Sequence, residues 1–480
     1  MIAAGGLLLT LAELGELPGA RVIDFSGGAV RGVCGVCIDS RLAGEGSLFA
    51  ALPGARQDGH AFVEAAFDRG AAAAMVAEAR LNDPTPGLAD LAKRRGRALV
   101  VLPGTLRGLQ DAARLYLKKF PRLLKMAVSG SAGKSTVKEI AAAIIGREKE
   151  TVYNPGNLNS ETGLPLAVFE VRTGHEAGIF EMGMNRPGEI AELASVLEPR
   201  VALITNIGSA HIGILGSREG IAKEKKNIFS RFSGTETALV PADDEFRDFL
   251  AEGVRGTVKF YGAAACAEWG GVRDLGLEGS EIRWAGEWAR FRLPGRHNLK
   301  NAAAAIALAR EAGAGDRAIR QGLESVRPLF GRSEIVWGPV TVIRDCYNAS
   351  PESAAEALAF CDGLDWPGRK IYVLASMLEL GDQAPASHER LGRALAASAA
   401  DRVFLLGEEM GAAAEALLEA GGKDFYHAGT MEALAGALEA YARPGDLVLL
   451  KGSRGKALER LSGLLAAIRE PAVQGGVHVS

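Results

Sequence analysis

Short apolar runs, each closed by glycine and polar residues, recur along this chain. In the middle third they read LLKMAVSG, AGIFEMG and VALITNIG, with helical stretches such as STVKEIAAAIIG between them. Uninterrupted apolar runs of this length suit strands buried on both faces, and the interleaved stretches supply helices to cover them. The pattern predicts a mostly parallel sheet with helices on both sides over residues 104–327. A less regular stretch, 235–293, precedes LPGRHNLKNAAAAIALAREAG, a loop feeding a long Ala-rich helix. After RPLFGRSE the alternation restarts. KIYVLAS, RVFLLG and DLVLLKG predict a second, smaller doubly wound unit over 328–480, with a loose tail in the last ten residues. Residues 1–103 mix short strands and helices and form a third unit ahead of these two. The helix LQDAARLYLKKF follows it, stopped by Pro121.

At the start of the chain Leu8, Leu11, Leu14 and Leu17 recur every third residue and predict a short amphipathic helix. No basic residue precedes the run and Glu13 and Glu16 follow at once, the reverse of a secretory signal. No stretch reaches the roughly 18 apolar residues that would insert in a membrane.

Composition narrows the class. At 480 residues the chain is too long for one compact core. A formal charge of -3 with no basic block argues against nucleic acid as a partner. The five cysteines are odd in number and scattered, so reduced thiols in the cytoplasm are expected rather than a disulfide framework. Cys34 and Cys37 form a lone C-x-x-C, read as two small apolar residues beside a strand rather than as a redox or zinc pair.

The sharpest local motif is Gly130-Ser131-Ala132-Gly133-Lys134-Ser135-Thr136, between a predicted strand and helix. Glycines let backbone amides close on phosphate oxygens, and the helix start adds a favourable dipole. Lys134 supplies a cation and the Ser135 hydroxyl a ligand for Mg²⁺. The usual leading glycine is absent, since Val128 stands five residues before Gly133. Glu181 ends the second apolar run, and His211 follows the third and its Asn206. Ligands gather at the carboxyl ends of parallel strands, so the three ends converge on one crevice. A carboxylate and an imidazole beside a nucleotide suit metal ligands better than an ordinary surface acid and loop histidine.

These segments carry a family resemblance. The phosphate loop, EMGMNRPGEI, NIGSAHIGILGS, LPGRHNLKNAAAA, DCYNASPES, SMLELGD and KGSRGKALE occur in the order seen in Mur ligases. CIDSRLAGEGSLFAALPG with DGHAFVEAAFDRGA resembles the family's N-terminal module, and GNLNSETGLPL with MNRPGEI resembles the branch that appends D-alanyl-D-alanine.

The resemblance spans nearly the whole chain. It implies an N-terminal α/β domain (1–103) binding a UDP-muramoyl-peptide, a central parallel-sheet ATP-binding domain (104–327) and a C-terminal Rossmann-like domain (328–480) binding the dipeptide. It also implies an acyl-phosphate mechanism using ATP and Mg²⁺, in a cytoplasmic monomer. Ser135 and Glu181 would hold one Mg²⁺ and His211 a second. Lys225 matches a lysine carbamylated in the family; without the resemblance, Lys223, Lys225 and Lys226 would read as a solvated helix face. Asp39, Ser40 and Arg41 resemble residues that hold the uridine diphosphate. Asn157, Asn159 and Thr162 lie where the family meets the muramoyl-peptide. Asn298 and Asn301 resemble residues near the adenine, and Arg332 and Asp345 resemble C-terminal groups that reach ATP on closure.

The chain departs from the family pattern in places. Arg344 replaces the first of two aspartates before Cys346, and Ser350 stands where asparagine is usual. Ala375-Ser376 replaces a Gly-Asp pair. Gly213 replaces an acid two after the histidine, and Asn227 replaces a frequent glutamate. These changes bear on the C-terminal domain and the second metal and leave the phosphate loop untouched.

The nearest alternative is the related ligase that adds a single diamino acid (diaminopimelate or lysine) to the muramoyl-dipeptide. That enzyme carries a D-N-P-R motif that is absent here. A folylpolyglutamate synthetase shares the fold, but the DSR segment does not suit a folate. A kinase or nucleotide-driven switch, and a catalytically dead binding module, are the rivals from other classes.

Overall fold

The computed structural model describes residues 6–54, 56–81 and 87–468, so the expected C-terminal tail lies outside the described residues. Its central sheet has six parallel strands in the order Thr257–Tyr261, Thr237–Pro241, Val201–Ile204, Leu124–Ser129, Ala177–Glu181, Thr151–Tyr153. Chain order reverses direction on either side of Leu124–Ser129, so a crevice opens at that strand's carboxyl end. Every residue of Ala177–Glu181 and of Val201–Ile204 is buried, as the uninterrupted apolar runs require. Each buried Ile, Leu or Phe there contributes about 1.5–3 kcal/mol, which holds the strand ends rigid beneath the loops they carry. The helices Lys134–Ile145 and Arg296–Glu311 share one core with one face of this sheet, and Glu189–Leu197 packs on the other.

The stretch 235–293 is more regular than its sequence suggests. It contributes two strands of the central sheet and an antiparallel meander, Trp269–Asp274, Ser280–Trp284, Glu287–Phe291. In the meander only alternate positions are buried, among them Ile282, Trp284, Ala289 and Phe291, so no continuous apolar run marks it.

The N-terminal sheet orders Arg21–Asp24, Ala98–Leu102, Ala73–Ala77, Ser47–Ala50 and Gly35–Cys37, parallel except for its first strand. The leucine repeat is only partly helical. Leu9–Thr10 pairs as a strand with Gly32–Val33, and the helix is confined to Leu11–Gly15. The break comes at Thr10, whose side chain forms a capping box with Glu13 and so starts the helix there. Leu8, Leu14 and Leu17 are buried all the same.

Helix Thr105–Leu117 joins this unit to the next and ends before Pro121 is reached. Thr105 Oγ1 donates to Ala51 O at 2.8 Å, while Gln110 Nε2 and Tyr116 OH donate to Glu161 O and Val171 O at 3.2 and 2.7 Å.

The third sheet orders Glu334–Val336, Thr341–Asp345, Leu447–Lys451, Lys370–Ala375, Arg402–Leu406, Phe425–Ala428, parallel except for the first strand. The three expected strands are its centre. The outer ones carry Glu, Arg and Tyr at half-exposed positions and His427 at an exposed one, and lack the apolar signature. Among the described residues no helix is long and apolar enough to cross a membrane. All five cysteines are free, and burial pushes the Cys37 thiol up to about 11, away from redox or metal chemistry.

Candidate active site

The loop 130–133 leaves strand Leu124–Ser129 and enters helix Lys134–Ile145. Two glycines are obligatory in it. Gly130 and Gly133 have φ of 144° and 80°, and a Cβ on either would overlap Thr205 Oγ1 or Asn301 Oδ1 respectively. The loop is braced from the next strand end. Thr205 Oγ1 donates to Ala132 O at 2.6 Å, Asn206 Oδ1 accepts from Ala132 N at 3.0 Å, and Ser131 Oγ accepts from Gly208 N at 2.8 Å. Lys134 Nζ folds back onto Gly130 O at 2.9 Å. Burial lowers its pKa below the usual amine range.

Ser135 Oγ donates to Glu181 Oε2 at 2.6 Å, and both residues are buried. Asn159 Nδ2 donates to the other oxygen, Oε1, at 2.6 Å. Asn154, fully buried, brackets the Glu181 backbone by accepting from its N at 2.8 Å and donating to its O at 3.0 Å. Asn154 O in turn accepts from buried Lys138 Nζ at 2.5 Å. This bracket escaped the sequence reading; the asparagine-proline turn YNPGN is the signal that could have found it.

Lys225 is 1 % exposed on helix Arg218–Lys226. Its pKa falls well below the usual amine range, first through burial and then through the nearby Lys134 cation. It is therefore no solvated helix face; Lys223 is the exposed lysine of that trio. Its neighbour Glu224 accepts from Gly188 N and Ile190 N at 2.8 and 3.0 Å, capping the helix Glu189–Leu197, and Asn227 Nδ2 donates to it at 3.3 Å. A glutamate at 227 would face that buried acid with like charge.

His211 sits in a left-handed turn, φ 65°, ahead of the short helix Ile212–Leu215. Its Nδ1 is buried and has no partner in hydrogen-bond geometry, although Glu379 Oε2 lies 2.7 Å away. The hydroxyl–carboxylate pair Ser135–Glu181 is an oxygen donor set suited to Mg²⁺, and His211 Nδ1 faces a further carboxylate, Glu379.

The third sheet's unit reaches onto the same loops. Arg332 Nη2 donates to Ser135 Oγ at 2.9 Å, with its guanidinium over the Tyr347 ring at 4.1 Å. Glu352 Oε1 accepts from Ser209 N and Oγ at 2.8 and 2.6 Å. Asp345 stays within its own unit, paired with Lys451 at 2.9 Å and accepting from Ser333 N at 3.2 Å.

The other candidates divide. Asn301 Oδ1 abuts Gly133, and its Nδ2 donates to Asn298 Oδ1 at 3.1 Å; Asn298 Nδ2 is spent on Pro294 O at 2.8 Å. Asn157 is exposed, and Thr162 Oγ1 is 3.3 Å from Ser160 Oγ. Asp39 caps the turn Ser40–Leu42 and takes the 81 % exposed Arg41 side chain at 2.7 Å, a local arrangement around buried Ser40.

The departures from the family pattern have local explanations. Arg344 stands opposite Glu334 across the strand pair and forms a two-pronged ion pair with it, at 2.6 and 2.9 Å. Ser350 caps helix Pro351–Asp362 in a box with Ser353, a task asparagine also performs. Ser376 is buried and donates to Leu406 O at 3.3 Å. A Cβ on Gly213 would lie 2.5 Å from Gly381 N, so the docked third unit leaves no room for an acidic side chain there.

Comparison with known proteins matches three families, described as "Mur ligase family, catalytic domain" over 33–95, "Mur ligase middle domain" over 128–309, and "Mur ligase, glutamate ligase domain" over 331–454. A UDP-N-acetylmuramoyl-tripeptide–D-alanyl-D-alanine ligase of Treponema pallidum is 44 % identical, covering 96 % of this chain and 99 % of its own. The Bacillus subtilis protein of the same name is 34 % identical over 89 % and 92 %. Crystal structure I of MurF from Acinetobacter baumannii superposes with a TM-score of 0.84 at 27 % identity, covering 95 % and 98 %. The Thermotoga maritima MurF ligase in complex with ADP gives 0.74 at 27 % identity, covering 90 % and 97 %.

Proposed function

This chain belongs to the Mur ligase family, and from that premise we propose that it joins D-alanyl-D-alanine to UDP-N-acetylmuramoyl-tripeptide with cleavage of ATP to ADP and phosphate. The observation that carries the mechanism is the Ser135 hydroxyl, held between Glu181 and Arg332 at the start of the phosphate-loop helix. A peptide carboxylate is a poor acyl donor. Attack of its oxygen on the γ-phosphate of ATP, with release of ADP, gives an acyl phosphate whose leaving group is phosphate. The dipeptide amine then attacks the acyl carbon, and the tetrahedral adduct expels phosphate and a proton.

Two anions must meet in the first step, so the site needs positive charge and water exclusion. The loop amides and helix start receive the phosphates, and Lys134 leaves Gly130 O to pair with them. Arg332 brings a second cation from the C-terminal domain. Bound Mg²⁺ would be held by Ser135 and Glu181 at one position and by His211 and Lys225, as a carbamate, at another. It would neutralise phosphate charge. Lys225 supports that reading because its burial favours the neutral amine, the form that reacts with CO₂.

Asn159, bonded to Glu181, would meet the muramoyl-peptide together with Asn157 and Thr162 on the same loop. Asp39, Ser40 and Arg41 would take the uridine diphosphate, Asn298 and Asn301 the adenine side, and Asp345 would steady the ATP-facing edge of the C-terminal domain. The relatives' shared name and the missing D-N-P-R motif favour the dipeptide over a single diamino acid.

Mixing ATP, the nucleotide-linked tripeptide and D-alanyl-D-alanine is the test. Phosphate release that needs both other substrates supports ligation. A phosphorylated product formed without the amine would identify a kinase instead, and no turnover would indicate a binding module.

A further inference from the structure

The C-terminal domain also brings a carboxylate to His211 that the mechanism above does not use. Glu379 Oε2 stands 2.7 Å from His211 Nδ1, a contact made across the two domains. Both residues are in the left-handed region at φ 65°, two of the six non-glycine residues so placed among the described residues. Left-handed backbone at apposed residues persists only where the surroundings impose it, and it clusters at functional sites. The imposing contact is visible. Gly213 N donates to Glu379 O at 3.1 Å, and Gly213 lies against Gly381 with no space for a side chain.

We infer that His211 and Glu379 form a divalent-cation site shared between two domains and assembled only when they dock. In it, Glu379 supplies the acidic ligand that Gly213 lacks. Neighbouring vertices of an octahedron with arms of roughly 2.0–2.1 Å lie about 2.9 Å apart, close to the separation of these two atoms. Magnesium is commonly held by one or two carboxylates with phosphate oxygens and waters, and beside His211 those would be Glu379 and the Lys225 carbamate. That is consistent with the absence, among the described residues, of any three His, Cys, Asp or Glu side chains grouped for a metal. Gly208, three residues before His211, donates to Ser131 Oγ of the phosphate loop, so the pair stands beside that loop. Glu379 is half-exposed, so its replacement leaves the core intact.

This inference rests on the metal role proposed for His211, and the experiment separates the two. Mn²⁺ is titrated into the full chain with saturating ADP and followed by electron paramagnetic resonance. Wild type is expected to bind two ions per chain. Glu379→Gln should weaken one of them by about 10-fold to 100-fold, the range typical of losing a metal-site partner. Glu352→Ala, which removes the other cross-domain carboxylate without touching His211, should weaken that ion less.

Loss of one ion in His211→Ala with wild-type binding in Glu379→Gln would overturn the shared site and keep the metal role of His211. Two ions retained in His211→Ala would overturn both. Equal weakening in Glu379→Gln and Glu352→Ala would assign the effect to docking and overturn ligation by Glu379.

Discussion

Arg332 Nη2 donates to Ser135 Oγ across 197 residues of chain, and the same hydroxyl donates to Glu181. A guanidinium thus shares with Glu181 the hydroxyl that is proposed to hold Mg²⁺. In the proposed mechanism nucleotide and metal would displace it, and the freed arginine would then pair with the polyphosphate.

Arg332→Ala should leave the fold unchanged, because the side chain lies at the seam between domains over Tyr347. Losing a charged donor costs about 1.5–3 kcal/mol, so kcat/KM should fall roughly 10-fold to 150-fold. Steady-state phosphate release measures it, and an unchanged kcat/KM would remove Arg332 from the mechanism.

Gly133→Ala places a methyl group against Asn301 Oδ1 in a left-handed backbone. Strain of about 1–3 kcal/mol falls on the loop itself. ADP affinity by calorimetry should drop by an order of magnitude or more, while far-ultraviolet circular dichroism stays the same.

Gly213→Ala probes the other end of the crevice. Its Cβ would lie 2.5 Å from Gly381 N, so the C-terminal domain is pushed off the loop while the phosphate loop is untouched. ADP binding should persist and ligation should fall, with a larger radius of gyration in solution scattering of the ADP-bound protein. Normal ligation would show that docking in this register is not required.

Lys225 should carry a carbamate. Protein equilibrated with ¹³C-bicarbonate is expected to show a carbamate carbon resonance that Lys225→Met lacks. Its absence from the unsubstituted chain would leave the lysine a buried amine.

Acid should loosen the loop that bears Glu379. His388 accepts from Met377 N through Nε2 at 3.0 Å and lies 2.8 Å from Ala384 O through Nδ1, the arrangement of a neutral ring. Burial lowers its pKa below 6.5. The folded chain therefore binds fewer protons here than the unfolded chain, so this group's contribution falls as pH drops below about 6.5. Thermal midpoints at pH 7 and 5.5 should differ more in wild type than in His388→Gln.

Much of this was legible in the chain. Strands buried on both faces announce themselves as apolar runs, and the phosphate loop is a contiguous motif near Glu181 at one strand end and His211 in the loop after another. Lys225 was placed by resemblance alone, because a lysine on a charged helix reads as solvated until burial is seen. Asn154, Glu352 and Glu379 were missed as individual residues. Each acts through contacts separated widely in sequence, and an acid in ordinary sequence context gives no sign that it will face His211. The meander and the outer strands of the C-terminal sheet were missed because half-exposed strands interleave polar residues.

The most direct measurement follows oxygen. Ligation is run with ¹⁸O in the terminal carboxylate of the nucleotide-linked tripeptide, and the released phosphate is analysed by mass. Activation at the loop 130–136 predicts one ¹⁸O in each phosphate released and none when Lys134→Ala stops turnover. Phosphate free of ¹⁸O alongside normal pentapeptide formation would contradict the acyl-phosphate account.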